Sequence, residues 1–278
     1  MSLSREKERL IGRLKVPRLR RKEGLFLVEG IRSAREFLGA TLPLPIRFAV
    51  VSSRLEELAG GSQLAAALEK APFPVLSVDD PDLSGLSDTE SPQGILMVVQ
   101  EPDVPSPETF LGEGGSPPRV LVLDGVQDPG NVGTLLRGAR AFGLDGVLAL
   151  DGTADPWSAR AVRAGAGAMA HIPLLRQPVS QALSWLEDFK IQVLVADAGG
   201  TDVRSVSPPA GWALVVGNEG GGTRPLIRAA ASRLVSVPMA QGVDSLNVAV
   251  AGSILLFALS AGRLQVRTRK SPEEGRTG

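Results

Sequence analysis

A repeated alternation of short apolar runs and helical patterns, from Arg119 to Ala261, most constrains the fold of this chain. Apolar strands separated by helices favour a mostly parallel sheet covered on both faces. Strands are predicted over residues 119–123, 146–150, 191–196, 212–216 and 234–238. Helices are predicted over residues 131–142, 157–168, 179–189, 223–231 and 245–261. The sequence therefore predicts an α/β domain, in which ligands bind beyond the carboxyl ends of the strands.

Residues 24–100 predict a second, smaller α/β unit. Its apolar runs indicate strands over 25–28, 48–51 and 94–99, and helical spacing occurs over 31–38 and 63–70. Residues 101–118 are rich in Pro and Gly and are typical of a linker. We therefore expect an N-terminal domain over 1–100, a linker over 101–118, a second domain over 119–267 and a flexible polar tail over 268–278.

The composition excludes several kinds of site. Of the 278 residues, 43% are hydrophobic and 22% are charged, which is typical of a soluble globular protein. The chain contains no cysteine, and His171 is its single histidine, so a zinc site of the common kind cannot be assembled. We expect a structural role for His171.

Net charge gives no indication of a partner, because thirty acidic residues balance thirty basic ones. Residues 1–30 nevertheless carry nine Lys or Arg against four Glu, which predicts a solvated helix face or a phosphate-binding arm. This N-terminus lacks the apolar core of a signal peptide. The longest apolar segment, 248–261, is shorter than the about 20 residues that cross a bilayer. We expect a cytoplasmic protein with a buried helix there.

The first unusual loop follows the predicted strand that ends at residue 123. Residues 128–131 read Asp-Pro-Gly-Asn, which is turn chemistry, and Asn131 is predicted to cap the following helix. Helical spacing places Arg137 off the apolar face of that helix. A surface ion pair and a site residue are both consistent with this position.

Two more unusual loops follow later strands. Residues 217–222 include four glycines, which permit close backbone approach to a ligand, although a flexible surface turn is the alternative. Residues 237–247 lead into the most apolar helix, where Ser245 and Asn247 are either capping residues or ligand-binding groups. Since all three loops follow predicted strands, we expect them to share one edge of the sheet.

Together the three motifs resemble those of the SpoU–TrmH family of RNA 2′-O-ribose methyltransferases, within the SPOUT superfamily. The pattern is Asn-x-Gly-x-x-x-Arg at 131–137, Gly-Asn-Glu-Gly-x-Gly at 217–222, and Pro-Met with Ser-Leu-Asn at 238–247. The resemblance covers Arg119 to about Ala261. Residues 26–36 more weakly resemble the small substrate-binding domain that these enzymes often carry.

The resemblance implies a deep trefoil knot that forms a pocket for S-adenosylmethionine, and a homodimer that completes the active site without a metal. The family's active-site positions fall on Asn131, Arg137, Glu219, Ser245 and Asn247. Its cofactor-binding positions fall on Gly217, Val237, Met239, Gly242 and Leu246. The implied substrate is structured RNA, with ribosomal RNA favoured over tRNA.

A guanidinium scarcely deprotonates, so Arg137 is interpreted as a clamp on the phosphate and on the developing negative charge, and not as a base. The family more often has serine where Gly165 stands, and the missing hydroxyl is expected to alter an RNA contact.

Three alternatives remain open. The first is a non-catalytic RNA-binding protein of the same fold. The second is a knotted methyltransferase that acts on a base nitrogen and not on the ribose. An oxidoreductase that binds a dinucleotide is disfavoured, because Gly-x-Gly-x-x-Gly is missing after the first strand of the second domain.

Overall fold

A computed structural model describes residues 3–102 and 117–263. The N-terminal part forms a four-stranded sheet from β1 (Leu25–Glu29), β2 (Ile46–Val51), β3 (Val75–Ser77) and β4 (Ile95–Gln100). The strand order is β1-β4-β2-β3, with β4 antiparallel to β1 and β2, and β3 parallel to β2. The small α/β unit expected from the sequence is therefore present.

Six helices surround this sheet: α1 (Arg5–Leu14), α2 (Pro17–Glu23), α3 (Ile31–Leu38), α4 (Arg54–Glu57), α5 (Gly61–Leu68) and α6 (Asp80–Leu86). The basic N-terminal run forms α1 and α2. Ile11 and Leu14 of α1 are buried against the face of the sheet that carries Leu25 and Leu27. The run is therefore an amphipathic helical layer on the sheet.

The second sheet has six strands: β5 (Arg119–Asp124), β6 (Gly146–Leu150), β7 (Leu174–Gln177), β8 (Gln192–Asp202), β9 (Trp212–Gly217) and β10 (Arg233–Ser236). Their order is β10-β8-β9-β5-β6-β7, and every neighbouring pair is parallel. The predicted parallel α/β architecture is confirmed. The trefoil knot stays a prediction.

Helices cover both faces of this sheet: α7 (Pro129–Ala141), α8 (Ala159–Gly165), α9 (Val179–Asp188), α10 (Pro225–Ala229) and α11 (Val248–Ser260). Short 3-10 turns occur at Ala168–Ala170, Val203–Ser205 and Ala261–Arg263. Alternation along β5 assigns the faces, because Leu121 packs in the cluster that includes α7 and α11, whereas Val122 packs in the cluster of α9 and α10. None of the helices in the described residues is long and apolar enough to cross a bilayer.

Two predicted helix starts differ from the structure. Asp128 is the N-cap of α7, and its carboxylate accepts a hydrogen bond from the backbone N–H of Asn131 at 3.0 Å. The prediction that Asn131 caps this helix is therefore wrong, since Pro129 already occupies the first turn. Helix α11 begins at Val248 with Asn247 as its N-cap, so Ser245 lies outside the helix.

The two sheets belong to one continuous apolar core. The ring of Phe26 lies 4.6 Å from that of Trp157, and Arg20 donates to Asp155 at 2.6 Å. Arg20 is 3% exposed, so it is neither a solvated residue nor part of a phosphate-binding arm. The predicted linker over 101–118 falls mainly on 103–116, which lie outside the described residues, as does the predicted tail over 268–278. The domain boundaries stay predictions.

The single histidine also lies at this junction. The Nε2 atom of His171 is 2.9 Å from a carboxylate oxygen of Glu36, and its Nδ1 atom is 3.3 Å from the hydroxyl of Thr41. The imidazole side chain is 10% exposed. His171 joins the two parts of the chain, as expected of a structural residue.

Candidate functional site

A cleft of about 550 Å³ opens at the edge of the sheet where β9 and β10 end and α11 begins. Its volume is within the range of small-molecule sites. Seven of the ten predicted site residues line it: Gly217, Glu219, Val237, Met239, Ser245, Leu246 and Asn247. The second and third motifs therefore converge, as their positions after parallel strands predict.

The floor of the cleft is apolar and its rim carries charge. Val216, Val235 and Leu255 contribute the apolar floor. The carboxylates of Glu219 and Asp197 also line the cleft. The cleft thus offers an apolar surface for a flat ring and negative charge for a cationic group.

Asp197 was not predicted as a site residue. The register of β8 against β10 shifts between Val195 and Thr201, so residues 196–200 bulge out of the ladder. The hydrogen bond from Arg228 holds the pKa of Asp197 below its usual value, against the opposing effect of partial burial. Polar and glycine residues directly after a predicted strand were the available signal for this loop.

The glycine-rich loop is a tight turn organised by Asn218. The Oδ1 atom of Asn218 accepts from the backbone N–H groups of Gly220 and Gly221 at 2.9 and 2.8 Å, and its Nδ2 atom donates to the carbonyl of Gly125 at 3.0 Å. A Cβ at Gly217 would lie 2.4 Å from the carbonyl carbon of Gly222. Gly217 is therefore required because the turn folds back onto the end of β9.

A chain of hydrogen bonds connects all three motifs. The Nδ2 atom of Asn131 donates to Glu219 at 3.0 Å, and the Nδ2 atom of Asn247 donates to the Oδ1 atom of Asn131 at 3.1 Å. The Oδ1 atom of Asn247 accepts from the backbone N–H groups of Ala249 and Val250 at 2.9 and 3.2 Å. Each amide thus uses its donor and its acceptor, which fixes its orientation.

Glu219 is held as a carboxylate by its neighbours. Partial burial alone raises the pKa of Glu219. Hydrogen bonds from the side chain of Asn131 and from the backbone N–H groups of Gln127 and Asp128 outweigh burial, so the pKa lies below its usual value. At neutral pH, Glu219 therefore presents a fixed negative charge between the cleft and the loop before α7.

A shallower hollow of about 650 Å³ lies beside the cleft. We call it the hollow; it is lined by Gln127, Asp128, Asn131, Arg160, Glu219 and Asn247. Glu219 and Asn247 line both spaces, so they form the wall between them. Arg160 is the single cationic residue among the described residues that line the hollow, and it pairs with Asp128 at 2.8 Å.

Two predicted residues line neither space. Arg137 is exposed on α7, six residues and therefore about 9 Å along the helix axis from Asn131. Within the part of the chain that the structure describes, Arg137 has no ion pair or hydrogen bond from its side chain. Gly242 is exposed with φ of 84°, a backbone conformation that favours glycine. The site roles of both residues stay predictions.

Gly133 and Gly165 form a close crossing of α7 and α8. A Cβ at Gly133 would lie 2.2 Å from the carbonyl oxygen of Ala161 and 2.8 Å from the backbone nitrogen of Gly165. Gly165 is buried, and a Cβ there would lie 3.5 Å from the carbonyl oxygen of Gly133. A serine at residue 165 would therefore face a helix crossing, and the expected effect on an RNA contact stays a prediction.

Across residues 3–102 and 117–263, no group of three or more His, Asp or Glu side chains is arranged to hold a metal ion.

The fold and the site define an α/β protein with a ligand-sized cleft at the carboxyl edge of a parallel sheet, next to a polar hollow. The SpoU rRNA Methylase family matches residues 118–257, and the MRM3-like substrate binding domain matches residues 7–97. The chain belongs to the SpoU rRNA methylase family, which confirms the resemblance found in its motifs.

Individual relatives agree with this assignment. The chain is 37% identical over 194 residues to a 23S rRNA (guanosine-2′-O-)-methyltransferase RlmB of Burkholderia sp, covering 69% of this chain and 78% of the relative. It is 32% identical over 248 residues to an uncharacterized tRNA/rRNA methyltransferase of Mycobacterium avium, covering 88% of this chain and 80% of the relative.

A solved structure gives the same result for the fold. The crystal structure of an AdoMet-bound rRNA methyltransferase from Sinorhizobium meliloti matches with a TM-score of 0.81 and 28% identity, covering 95% of this chain and 98% of that chain. The cofactor predicted from the motifs is the one named for that neighbour.

Proposed function

We propose that this chain transfers the methyl group of S-adenosylmethionine to a ribose 2′-hydroxyl of ribosomal RNA. The observation that carries the proposal is a ligand-sized cleft separated from a polar hollow by a wall of two side chains, Glu219 and Asn247. A donor in the cleft and an acceptor in the hollow would meet at this wall. The 2′-O-ribose specificity named for the Burkholderia relative supports the same reaction.

The residues of the cleft fit the donor. The apolar floor of Val216, Val235 and Leu255 suits an adenine ring, and backbone groups at the ends of β9 and β10 suit its polar edge. Asp197 and Glu219 supply negative charge for a cationic ligand. When bound, S-adenosylmethionine supplies an electrophilic methyl group on a sulfonium.

The chain's own task is alignment, because methyl transfer is an in-line displacement. Asn247 is fixed by its cap interactions and by Asn131, so its side chain holds a constant position at the wall. Ser245 lines the cleft near the same wall and would orient the ribose or the loop. Glu219 holds the loop before α7 against the glycine turn and stays ionised at neutral pH.

We assign Arg137 to a site shared between two protomers. The exposed apolar residues Val250, Ile254 and Phe257 form a stripe along α11, which starts at the wall residue Asn247. The ring of Phe257 contacts that of Phe142 at the end of α7. If a second copy packs on this stripe, its unpaired Arg137 would contact the acceptor phosphate in the hollow of the first copy across the interface.

Methyl transfer is tested with purified protein, tritium-labelled S-adenosylmethionine and 23S ribosomal RNA. We expect labelled RNA in which one nucleotide linkage resists alkaline cleavage, because a 2′-methyl blocks the attacking oxygen. A labelled base with a cleavable linkage would identify a base methyltransferase instead. Donor binding without any labelled RNA would identify a non-catalytic RNA-binding protein.

The shared site is tested by mixing two inactive variants, Arg137→Ala and Asn247→Ala. If each site takes these residues from different protomers, each mixed dimer contains one intact site, and about one quarter of the wild-type activity returns after random exchange. If both residues act within one protomer, every site in the mixture is defective and no activity returns. Sedimentation of Phe257→Ala tests the interface, since a weaker dimer is expected.

A further inference from the structure

A series of arginines connects the hollow with two spaces at the junction of the two sheets. We infer that a single-stranded segment of the RNA runs from the hollow across α8 towards α3, with its phosphates on Arg160, Arg163 and Arg32. We call these three residues the arginine track. The inference rests on the proposed function and adds the path of the substrate.

The track begins on α8. Arg160 lines the hollow, and Arg163 lies three residues later, so the two side chains share one face of the helix with Cβ atoms about 5–6 Å apart. Both residues are exposed. Arg163 lines a second space of about 630 Å³ together with Arg32 of α3. The helix therefore connects the hollow with the junction in a single turn.

The track continues beside α3. Arg32 lines both the second space and a third space of about 790 Å³, which also contains Arg35. Within the described residues, the side chains of Arg32, Arg35 and Arg163 take part in no ion pair. Exposed guanidinium groups without carboxylate partners retain their hydrogen-bond donors for phosphate oxygens.

The acidic residues along this path are mostly paired. Glu29 accepts from the hydroxyl of Ser87 at 2.5 Å and lies within the N-terminal sheet. Asp88 pairs with Lys15 at 3.0 Å. The carboxylate of Glu36 contacts His171 and Arg140. Asp128 pairs with Arg160, and Glu90 is the remaining carboxylate of the second space.

The two helices that carry the arginine track belong to parts of the chain that are packed together. Arg32 lies on α3 of the N-terminal part and Arg160 lies on α8 of the second part, and the two parts share the buried ion pair of Arg20 with Asp155. A row of cations along recessed spaces suits a single strand, whose bases and backbone can enter these spaces. Sequence-specific recognition of RNA mostly uses such unpaired segments, whereas an RNA duplex is contacted across its minor groove.

The experiment measures how the affinity for a fluorescein-labelled single-stranded oligouridine depends on salt concentration. The full-length variants are Arg32→Gln, Arg160→Gln, Arg163→Gln and their triple combination. Each lost phosphate contact is expected to lower the slope of log affinity against log salt by about 0.7, and the triple variant by about 2. Matched controls are Arg204→Gln, which removes another exposed paired arginine, and Arg233→Gln on β10.

Calorimetric affinity for S-adenosylmethionine and the melting temperature are expected to stay unchanged in all these variants, which excludes misfolding as the cause. An unchanged slope in the triple variant, an equal loss in the controls, or no binding of oligouridine by the wild type would overturn the track. Tighter binding of an A-form RNA duplex than of the single strand, dependent on the same arginines, would also overturn the track. If the wild type transfers methyl groups but the salt slope of the triple variant is unchanged, the arginine track alone is refuted. If the wild type neither transfers methyl groups nor binds S-adenosylmethionine, but the salt slopes still depend on the arginines, the proposed function alone is refuted.

Discussion

At the scale of single residues, the glycine of the first motif is explained by packing. Gly133 allows α7 and α8 to cross at backbone contact distance, and Gly165 faces it on the other helix. The requirement is asymmetric, because a side chain at Gly133 meets backbone atoms, whereas one at Gly165 meets ordinary van der Waals contacts. The motif position therefore serves the fold of the site before it serves any ligand.

We predict that Gly133→Ala lowers the free energy of unfolding by about 1–3 kcal/mol, because the new methyl group forces the backbone of α8 away. The matched change Gly165→Ala is expected to alter it by less than about 1 kcal/mol. Urea denaturation of both variants measures the difference. Equal losses in the two variants would contradict the asymmetric crossing.

Arg224 is a second residue whose role is structural although it adjoins the glycine turn. Its backbone N–H donates to the carboxylate of Asp124 at 2.7 Å, and its guanidinium also contacts Asp124 and Asp151. The side chain of Asp124 is fully buried at the end of β5. Arg224 therefore neutralises a buried charge and joins the ends of two strands to the turn.

We predict that Arg224→Ala lowers the free energy of unfolding by about 3 kcal/mol, because it leaves the buried carboxylate of Asp124 without its cation. Adding Asp124→Asn to this variant is expected to recover part of the loss, since the remaining group is neutral. Thermal and urea denaturation measure both variants. A double variant that is less stable than Arg224→Ala would contradict this interpretation.

At the scale of elements, the strands of the second sheet were predictable because buried parallel strands are continuous apolar runs. The strand β7 was missed because Leu174 and Leu175 are followed directly by the polar residues Arg176 and Gln177 at the edge of the sheet. Helix α8 ends at Gly165, earlier than predicted, because Ala166 adopts a left-handed conformation with φ of 47°. Local pattern gave no indication of either feature.

Some residues of the candidate site were predictable from the sequence and others were not. Motif residues such as Gly217 and Asn247 stand directly after strands, so the parallel topology brings them together. Asp197 and Arg160 were missed because a bulge in β8 exposes the first and the packing of α8 on α7 positions the second. Both depend on tertiary structure, which spacing along the chain does not record.

The glycine turn after β9 and the start of α7 are held together through Glu219, so their stability depends on its ionisation. The pKa of Glu219 is lower in the folded protein than its usual value. A depressed carboxyl pKa stabilises the folded state above the unfolded value and loses this effect as the pH falls through the folded value.

We therefore predict that Glu219→Gln is less stable than the wild type at neutral pH, and that the difference shrinks and is lost as the pH falls from the usual glutamate pKa through the lower pKa of the folded state. Free energies of unfolding measured for both proteins across this range provide the test. A difference that stays constant from neutral to acidic pH would contradict the role of the ionised carboxylate.

At the scale of the whole molecule, the junction between the two sheets behaves as core. The rings of Phe26 and Trp157, tilted by 36° to each other, belong to the apolar cluster that also packs on one face of the second sheet. Arg20 is buried there, and its guanidinium donates to Asp155 and to the backbone carbonyl of Leu14. The N-terminal part is thus attached by core packing and by a desolvated ion pair.

We predict a coupling energy above about 1 kcal/mol in a double-mutant cycle of Arg20→Ala and Asp155→Ala, because the two groups are in direct buried contact. The exposed pair of Arg204 and Asp202 provides the control, with an expected coupling smaller than that of the buried pair. Chemical denaturation of the four proteins in each cycle gives both values. Equal coupling in the two pairs would show that the junction is solvated.

The partition between the cleft and the hollow has one more consequence. Because Glu219 and Asn247 line both spaces, a molecule that moves these side chains from one space also changes the shape of the other. If the donor and the RNA occupy these two spaces as proposed, thermodynamic reciprocity requires that each raises or lowers the affinity for the other by the same factor. The change in affinity that is measured for one ligand therefore also gives the change for the other.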